Sequence, residues 1–236
     1  MVAATKKKPA AKPATPKKLV AKKTPAPERV LAAAPTPAIL KAFHHGTEGT
    51  ENFVFSRFWW EGDGWREGIA TKVLKKFRPK LDEHDDPDAV TAARTDLLLP
   101  PDAQADYMDV RHLLARYDAT LPPHEAHAFV QVTLHFPEAL NMHSAWEEAR
   151  AFAMEHFVIN RQRRLAVIMA LHAPSLAASG SNLHAHLAIP LRRIGSLGWG
   201  EMERHLPNDR GREETFAAWT VFRRKWAVRA EGSQGR

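Results

Sequence analysis

The sequence predicts an α+β fold: an antiparallel sheet with helices packed on one face, joined to a disordered N-terminal tail. Three observations lead to it. Residues 128–137, "AFVQVTLHFP", alternate, with Ala128, Val130, Val132, Leu134 and Phe136 on one side and Phe129, Gln131, Thr133 and His135 on the other. Residues 144–158, "SAWEEARAFAMEHFV", place Trp146, Ala149, Phe152, Ala153 and Phe157 at helical spacing behind a Ser144–Glu147 capping box. Over 128–230 the order is strand, helix, strand, strand, helix, which folds as an antiparallel sheet under a helical layer.

Taken in order, residues 1–38 hold seven of the 17 prolines with Ala and Lys between them. Such a segment cannot bury enough apolar surface to offset its ordering entropy, so a disordered basic tail is expected there. "ENFVFSRFWW" (51–60) is a strand-like aromatic run closed by the turn signal "EGDG". A helix is expected over 66–78, then an acidic loop, "LDEHDDPD" (81–88). "DLLLPPDA" (96–103) punctuates the chain before a helical stretch, "DYMDVRHLLARYDA" (106–119). Beyond 158, "LAVIMALHAP" (165–174) is a strand stopped by proline. A Ser/Gly/Ala loop (175–181) leads into another strand, "NLHAHLAIPL" (182–191). "REETFAAWTVFRRKWAVRA" (212–230) forms the last helix. The folded body should span 39–230, with a flexible end over 231–236.

Bulk composition narrows the chemistry. The absence of cysteine excludes a disulfide scaffold and any thiolate metal site, and suits a reducing compartment such as the cytoplasm. No apolar run approaches the ~20 residues that span a bilayer, and the N-terminus lacks the apolar core of a secretory signal. The net charge of +7 is segregated: residues 1–29 carry +8, residues 30–158 carry −8 and residues 159–236 carry +7. A basic tail and an Arg-rich C-terminal third suit a polyanionic partner such as nucleic acid.

The segment "SNLHAHLAIP" (181–190) carries the chemistry. Random placement of 13 histidines in 236 residues supplies roughly 0.7 His-x-His patterns, so the pair alone is weak. Strand parity sharpens it. Leu183, Ala185, Leu187 and Ile189 form a core face, and His184 and His186 emerge on the other, ~7 Å apart. His172 ends the preceding strand and can stand beside them as a third ligand. Three neutral imidazoles leave a divalent cation its full charge and open positions for substrate oxygens. Zn, Mn, Ni or Cu tolerate that donor set, whereas Mg favours oxygen.

The ordered segments "LLLPPDA", "HFPEAL", "EHFV", "MALH", "NLHAH" and "LGWG" resemble the relaxase domain of the MobA/MobL plasmid-mobilisation family, within the His-hydrophobic-His endonuclease superfamily. The resemblance covers roughly residues 96–228. It implies a relaxase fold in a bacterial cytoplasm and single-stranded DNA nicked at a plasmid or mobile-element transfer origin. It also implies partnership with other mobilisation proteins. In that reading a tyrosine attacks the phosphodiester, leaving a 5′-phosphotyrosyl adduct and a free 3′-hydroxyl. A divalent ion, Mn or Mg in first place, is held by His172, His184 and His186 and neutralises charge on the scissile phosphate. Arg161, Arg163, Arg164, Arg192, Arg193, Arg223 and Arg224 are the expected phosphate contacts, and Trp199 the expected stacking platform.

One departure stands out. Family members carry the tyrosine in a helix after the first strand, and this chain has no tyrosine before Tyr107. The candidate nucleophiles are Tyr107 and Tyr117, ten residues apart on one expected helix and about 80° from sharing a face. Three readings therefore stay open: one of these tyrosines has taken over the role, water attacks instead, or the protein is a decayed relaxase or accessory factor that binds DNA without cutting it.

Overall fold

The computed structural model describes residues 36–46, 52–79, 89–139, 141–173 and 182–234. The tail before residue 36, the acidic loop over 81–88 and the Ser/Gly/Ala loop over 175–181 lie outside the described residues.

Strands β1 (Ile39–Gly46) and β2 (Phe53–Glu61) open the domain, followed by the short helix α1 (Ala70–Leu74) and a 3-10 turn, Lys75–Phe77. Strand β3 (Arg94–Leu98), a second 3-10 turn (Ala105–Met108), α2 (Val110–Thr120) and β4 (His127–His135) come next. Helix α3 (Met142–Ala153) runs on as a π-helical turn, Met154–Val158. Then follow β5 (Val167–His172), β6 (His184–Pro190), the hairpin strands β7 (Arg192–Gly195) and β8 (Gly198–Met202), and α4 (Asp209–Gln234). Six strands form one sheet in the order β1-β2-β4-β6-β5-β3, every neighbour antiparallel.

Alternation decides what each face of this sheet touches. Phe55, Val130, Val132, Leu134, Val167, Met169, Ala185, Leu187 and Ile189 point to one side. There they bury Trp146, Ala149, Phe152 and Phe157 from α3 and its π turn, together with Trp219 and Phe222 from α4. This is the expected helical layer. The opposite face carries a second, smaller cover at one end of the sheet. Phe58, Trp60, Phe129, Ile168 and Ala188 pack there with Ile69 and Val73 around α1, Tyr107, and Leu113, Leu114 and Tyr117 of α2. The remaining end of that face carries the polar residues described below.

Several boundaries differ from the sequence reading for identifiable reasons. Ala38, assigned above to the tail, is buried, and its N–H donates to the Trp65 carbonyl at 2.9 Å. The final helix continues to Gln234, through most of the end expected to be flexible. Helix α3 is capped one turn early: Asn141 supplies the side-chain acceptor for the Ser144 N–H at 2.8 Å, so the Ser144 box is not the cap. The single helix expected over 106–119 is broken at Asp109, whose extended backbone and side chain cap α2. Tyr107 therefore sits in the 3-10 turn and Tyr117 in α2. Strands β1 and β3 had no clear alternating signal because both lie at sheet edges, where Ile39 and Phe43 stay exposed.

Candidate metal centre

His172 is the last residue of β5, and His184 and His186 open β6. The register pairs His172 with His184 and Ala170 with His186. In an antiparallel sheet, paired residues project to the same side, so all three imidazoles share the face that α3 and α4 leave alone. The small Ala170 side chain leaves room for the ring opposite it. On the other flank of β6, Thr133 pairs with His186 and His135 with His184. One nitrogen from each of His172, His184 and His186 lies within 4.8 Å of the others. Two nitrogens on one tetrahedral ion at ~2.1 Å would stand about 3.4 Å apart, a distance that small ring rotations reach.

Hydrogen bonds select which nitrogen is available. His172 Nε2 donates to the Lys76 carbonyl at 2.6 Å, leaving Nδ1. His184 Nδ1 donates to the Asn182 carbonyl at 2.7 Å, leaving Nε2. The tautomer of His186 that frees Nε2 donates from Nδ1 to Thr133 Oγ1 at 2.9 Å, and Thr133 Oγ1 also accepts from Gln131 Nε2 at 3.3 Å. Each ring is thus held by a partner behind it, as ligating histidines require.

Electrostatics keep these rings ready as ligands. Burial holds His172, His184 and His186 below the ordinary histidine range, with the Lys76 charge adding to the effect on each. His186 is pushed furthest, because it is the most deeply buried of the three and the neighbouring His172, His184 and His135 also oppose its protonation. At neutral pH the donors are therefore neutral imidazoles. Among the described residues no carboxylate belongs to the cluster, and the donor set fits a divalent ion of the Zn or Mn type better than an oxygen-seeking one. The three imidazoles would hold the ion, and the ion would polarise a bound phosphate oxygen.

The structure does not bring the tyrosines to this centre. Tyr117 is fully buried, its hydroxyl donating to the Ala128 carbonyl at 2.6 Å and accepting from the Leu191 N–H at 3.2 Å. Burial raises its pKa far above the ordinary tyrosine value. Leu191 lies five residues beyond His186, or about 17 Å along the strand. Tyr107 is buried in the same region, with its ring 5.9 Å from that of Trp199. Its hydroxyl also lies 2.8 Å from where a Cβ at Gly198 would stand, and Gly198 turns the β7–β8 hairpin with φ of +92°. Both phenols are core residues at the wrong end of the sheet.

The expected DNA-contacting residues also gather elsewhere. Arg161, Arg163 and Arg164 precede β5, while Arg192, Arg193 and Trp199 follow β6, so this group sits about 25 Å from the triad. Most are already engaged. Arg192 spans the Thr120, Trp199 and Gly200 carbonyls, Arg193 pairs with Glu203, Arg164 with Asp102, and Arg163 with Glu214 and His156. Arg223 bonds Glu148 at 3.0 Å from α4, behind the sheet, and Trp199 packs edge-on against Tyr117. Arg161 and Arg224 are exposed.

Lys76, which the sequence did not single out, reaches the triad through its backbone carbonyl, and its charge opposes protonation of all three imidazoles. Lys76 is 96 residues from the histidine it supports, and nothing local announces such a contact. Gln131, Thr133 and His135 were legible as the polar side of an otherwise apolar strand, and that side is the one facing the triad.

An antiparallel α+β sheet with a three-histidine candidate metal centre at one end defines the class. No family model matches the chain, and no curated protein matches it. A solved structure from work on the molecular basis of vancomycin resistance transfer in Staphylococcus aureus shares the fold. The TM-score is 0.54 at 16% identity, covering 70% of this chain and 87% of that one. Among the described residues, no helix is long and apolar enough to cross a membrane.

Two outcomes follow. Thr133→Val removes the acceptor behind His186 and should weaken divalent-metal binding about 10–100-fold while the fold persists, as isothermal titration and circular dichroism would register. The second concerns pH. His156 is pushed down to about 3 by burial and by the adjacent Arg163. Below the ordinary histidine pKa the unfolded chain takes up a proton that the folded chain refuses, so this group lowers stability as pH falls from about 6.5 towards 3. The buried carboxyls of Asp118 and Glu148, raised by burial, act in the opposite sense. His156→Gln should therefore flatten the acid-side fall in melting temperature of the metal-free protein relative to native. An unchanged slope would contradict the assignment.

Proposed function

We propose that this protein is a relaxase-like DNA-transfer factor whose three-histidine centre holds a divalent ion and, through it, a phosphate of single-stranded DNA. The observation that carries the reading is the convergence of His172, His184 and His186, each backed by its own hydrogen-bond partner, with no carboxylate in the cluster among the described residues. Neutral donors leave the ion fully charged, which favours an anionic substrate over a neutral one. The sequence resemblance to MobA/MobL relaxases and the fold shared with a structure tied to resistance transfer support the DNA-transfer context.

The same geometry argues against a phosphotyrosyl intermediate. The sequence has two tyrosines, and both hydroxyls lie in the core away from the triad. Of the readings weighed from sequence, metal-dependent DNA binding without a tyrosyl adduct is therefore preferred. Lys72 and Lys75, exposed on the segment that leads to Lys76, would add attraction for a DNA backbone. The outlying Arg161 and Arg224 would serve as further phosphate contacts. Proteins of the transfer apparatus are the partners this reading implies.

The test incubates the native protein and a His184→Ala/His186→Ala variant with Mn²⁺ and single-stranded transfer-origin DNA. Binding by the native protein should require the ion, should be lost in the variant, and should leave no protein–DNA adduct stable to SDS. An adduct would overturn the exclusion of tyrosine. Metal-independent binding, equal in native and variant proteins, would overturn the role of the centre.

A further inference from the structure

A second polar site lies apart from the histidines, where three segments meet. Arg163 reaches it from the turn after the π-helical segment, Arg193 from β7, and Glu203 and His205 from the connection after β8. Arg210 and Glu214 close it from the first turns of α4. Together they line a cavity of about 320 Å³. The guanidiniums here are short of close acceptors. The Arg163 side chain is only 12% exposed, and it donates to His156 Nε2, a ring that burial keeps neutral at ordinary pH. A neutral acceptor holds the guanidinium in place without cancelling its charge. The carboxylate paired with Arg163, Glu214, stands 3.7 Å away, beyond hydrogen-bond length, and its other oxygen accepts from Arg210 Nε at 2.8 Å. Arg193 repeats the pattern. Its Nη2 lies 3.6 Å from Glu203 Oε2, while Glu203 Oε1 accepts from the His205 N–H at 3.1 Å. Arg193 Nε is buried and has no hydrogen-bond partner among the described residues. Buried donors without acceptors are costly, so the cavity is built for an acceptor that enters it.

The structure assigns this cavity to a phosphate monoester, whose oxygens accept from Arg163 and Arg193 at once. Charge and shape both select that class. Three guanidiniums against two carboxylates leave the lining positive, which favours an anion over a cation or a neutral ligand. Guanidinium forks match phosphate oxygens, and a monoester brings up to two negative charges at neutral pH where a backbone diester brings one. The cavity falls in the size range of small-molecule sites, which leaves room for the group that carries the phosphate. A free nucleotide and the 5′-phosphorylated end of a DNA strand present the same chemistry. The inference stands apart from the three-histidine centre, because Arg163 and Arg193 belong to the group about 25 Å from it.

The test uses metal-free, full-length protein, so that no histidine-bound ion contributes a phosphate contact. Thymidine monophosphate is titrated calorimetrically into native protein, Arg193→Gln and Glu214→Gln, with folding checked by circular dichroism. Native protein should take up one equivalent. Arg193→Gln should weaken binding about 10–100-fold, the loss of one charged hydrogen bond. Arg210→Gln, at an exposed side chain, should weaken it as well and replaces that arm if Arg193→Gln does not fold. Glu214→Gln removes a negative charge from the lining and should tighten binding several-fold, a gain that a purely structural ion network does not give. No uptake by native protein would overturn the inference. Unchanged affinity in the folded arginine variant, or a Glu214→Gln variant that binds no more tightly, would do the same. Competition by a single-stranded oligonucleotide with a 5′-phosphate, but not by its 5′-hydroxyl counterpart, would identify a DNA end as the source. Competition by neither would identify a free nucleotide. Competition by both would overturn the choice of a monoester, since backbone diesters would then suffice.

Discussion

The pairing of β5 with β6 is the constraint on which the site depends. It sets His172 opposite His184 and Ala170 opposite His186, and it does so because both strands are buried on both faces. Met169, Leu171, Ala185, Leu187 and Ile189 must face α3 and α4 to fill the larger core. A slip of one residue would turn all of them outward and the histidines inward. The hydrophobic energy of the larger core therefore fixes the position of the imidazoles, although none of them belongs to it. Histidines placed this way are held by the packing of that core, which gives the rigidity that a pre-organised site needs.

Secondary contacts then convert proximity into a ligand set. Three different elements supply the partners behind the rings: Thr133 from β4, the Asn182 carbonyl before β6, and the Lys76 carbonyl after α1. The two carbonyls only accept and so fix the tautomers of His172 and His184, while Thr133 accepts from the His186 tautomer that leaves Nε2 to converge with them. Burial keeps the rings neutral, and neutral imidazole ligands leave the charge of an ion to act on whatever anion binds.

Much of this was readable from residue order. The alternation in 128–136 and 183–189 gave the faces of β4 and β6, and parity alone put His184 and His186 together with His172 within reach. The polar side of β4 was visible too, though not its role. What could not be read were contacts made by distant packing. Lys76 reaches His172 across 96 residues, and the edge strands β1 and β3 lack the strong alternation of buried strands. Tyr107 and Tyr117 became candidates because a missing nucleophile invites any phenol as a substitute, and the structure packs both rings into the core, the simpler meaning of amphipathic spacing in α2. The arginine-rich third is engaged for a related reason. Its charges are balanced locally by Glu203, Glu214, Asp102 and Glu148, acids that a running charge count does not pair with them.

Joint ligation of one divalent ion by His172, His184 and His186 can be read directly. X-ray absorption at the zinc edge, on protein loaded with one equivalent of Zn²⁺, counts imidazoles. Three imidazole nitrogens at ~2.0–2.1 Å are expected, with the remaining positions filled by oxygen, falling to one when His184 and His186 are replaced by alanine. A spectrum with oxygen ligands alone, or one unchanged by that replacement, would contradict it.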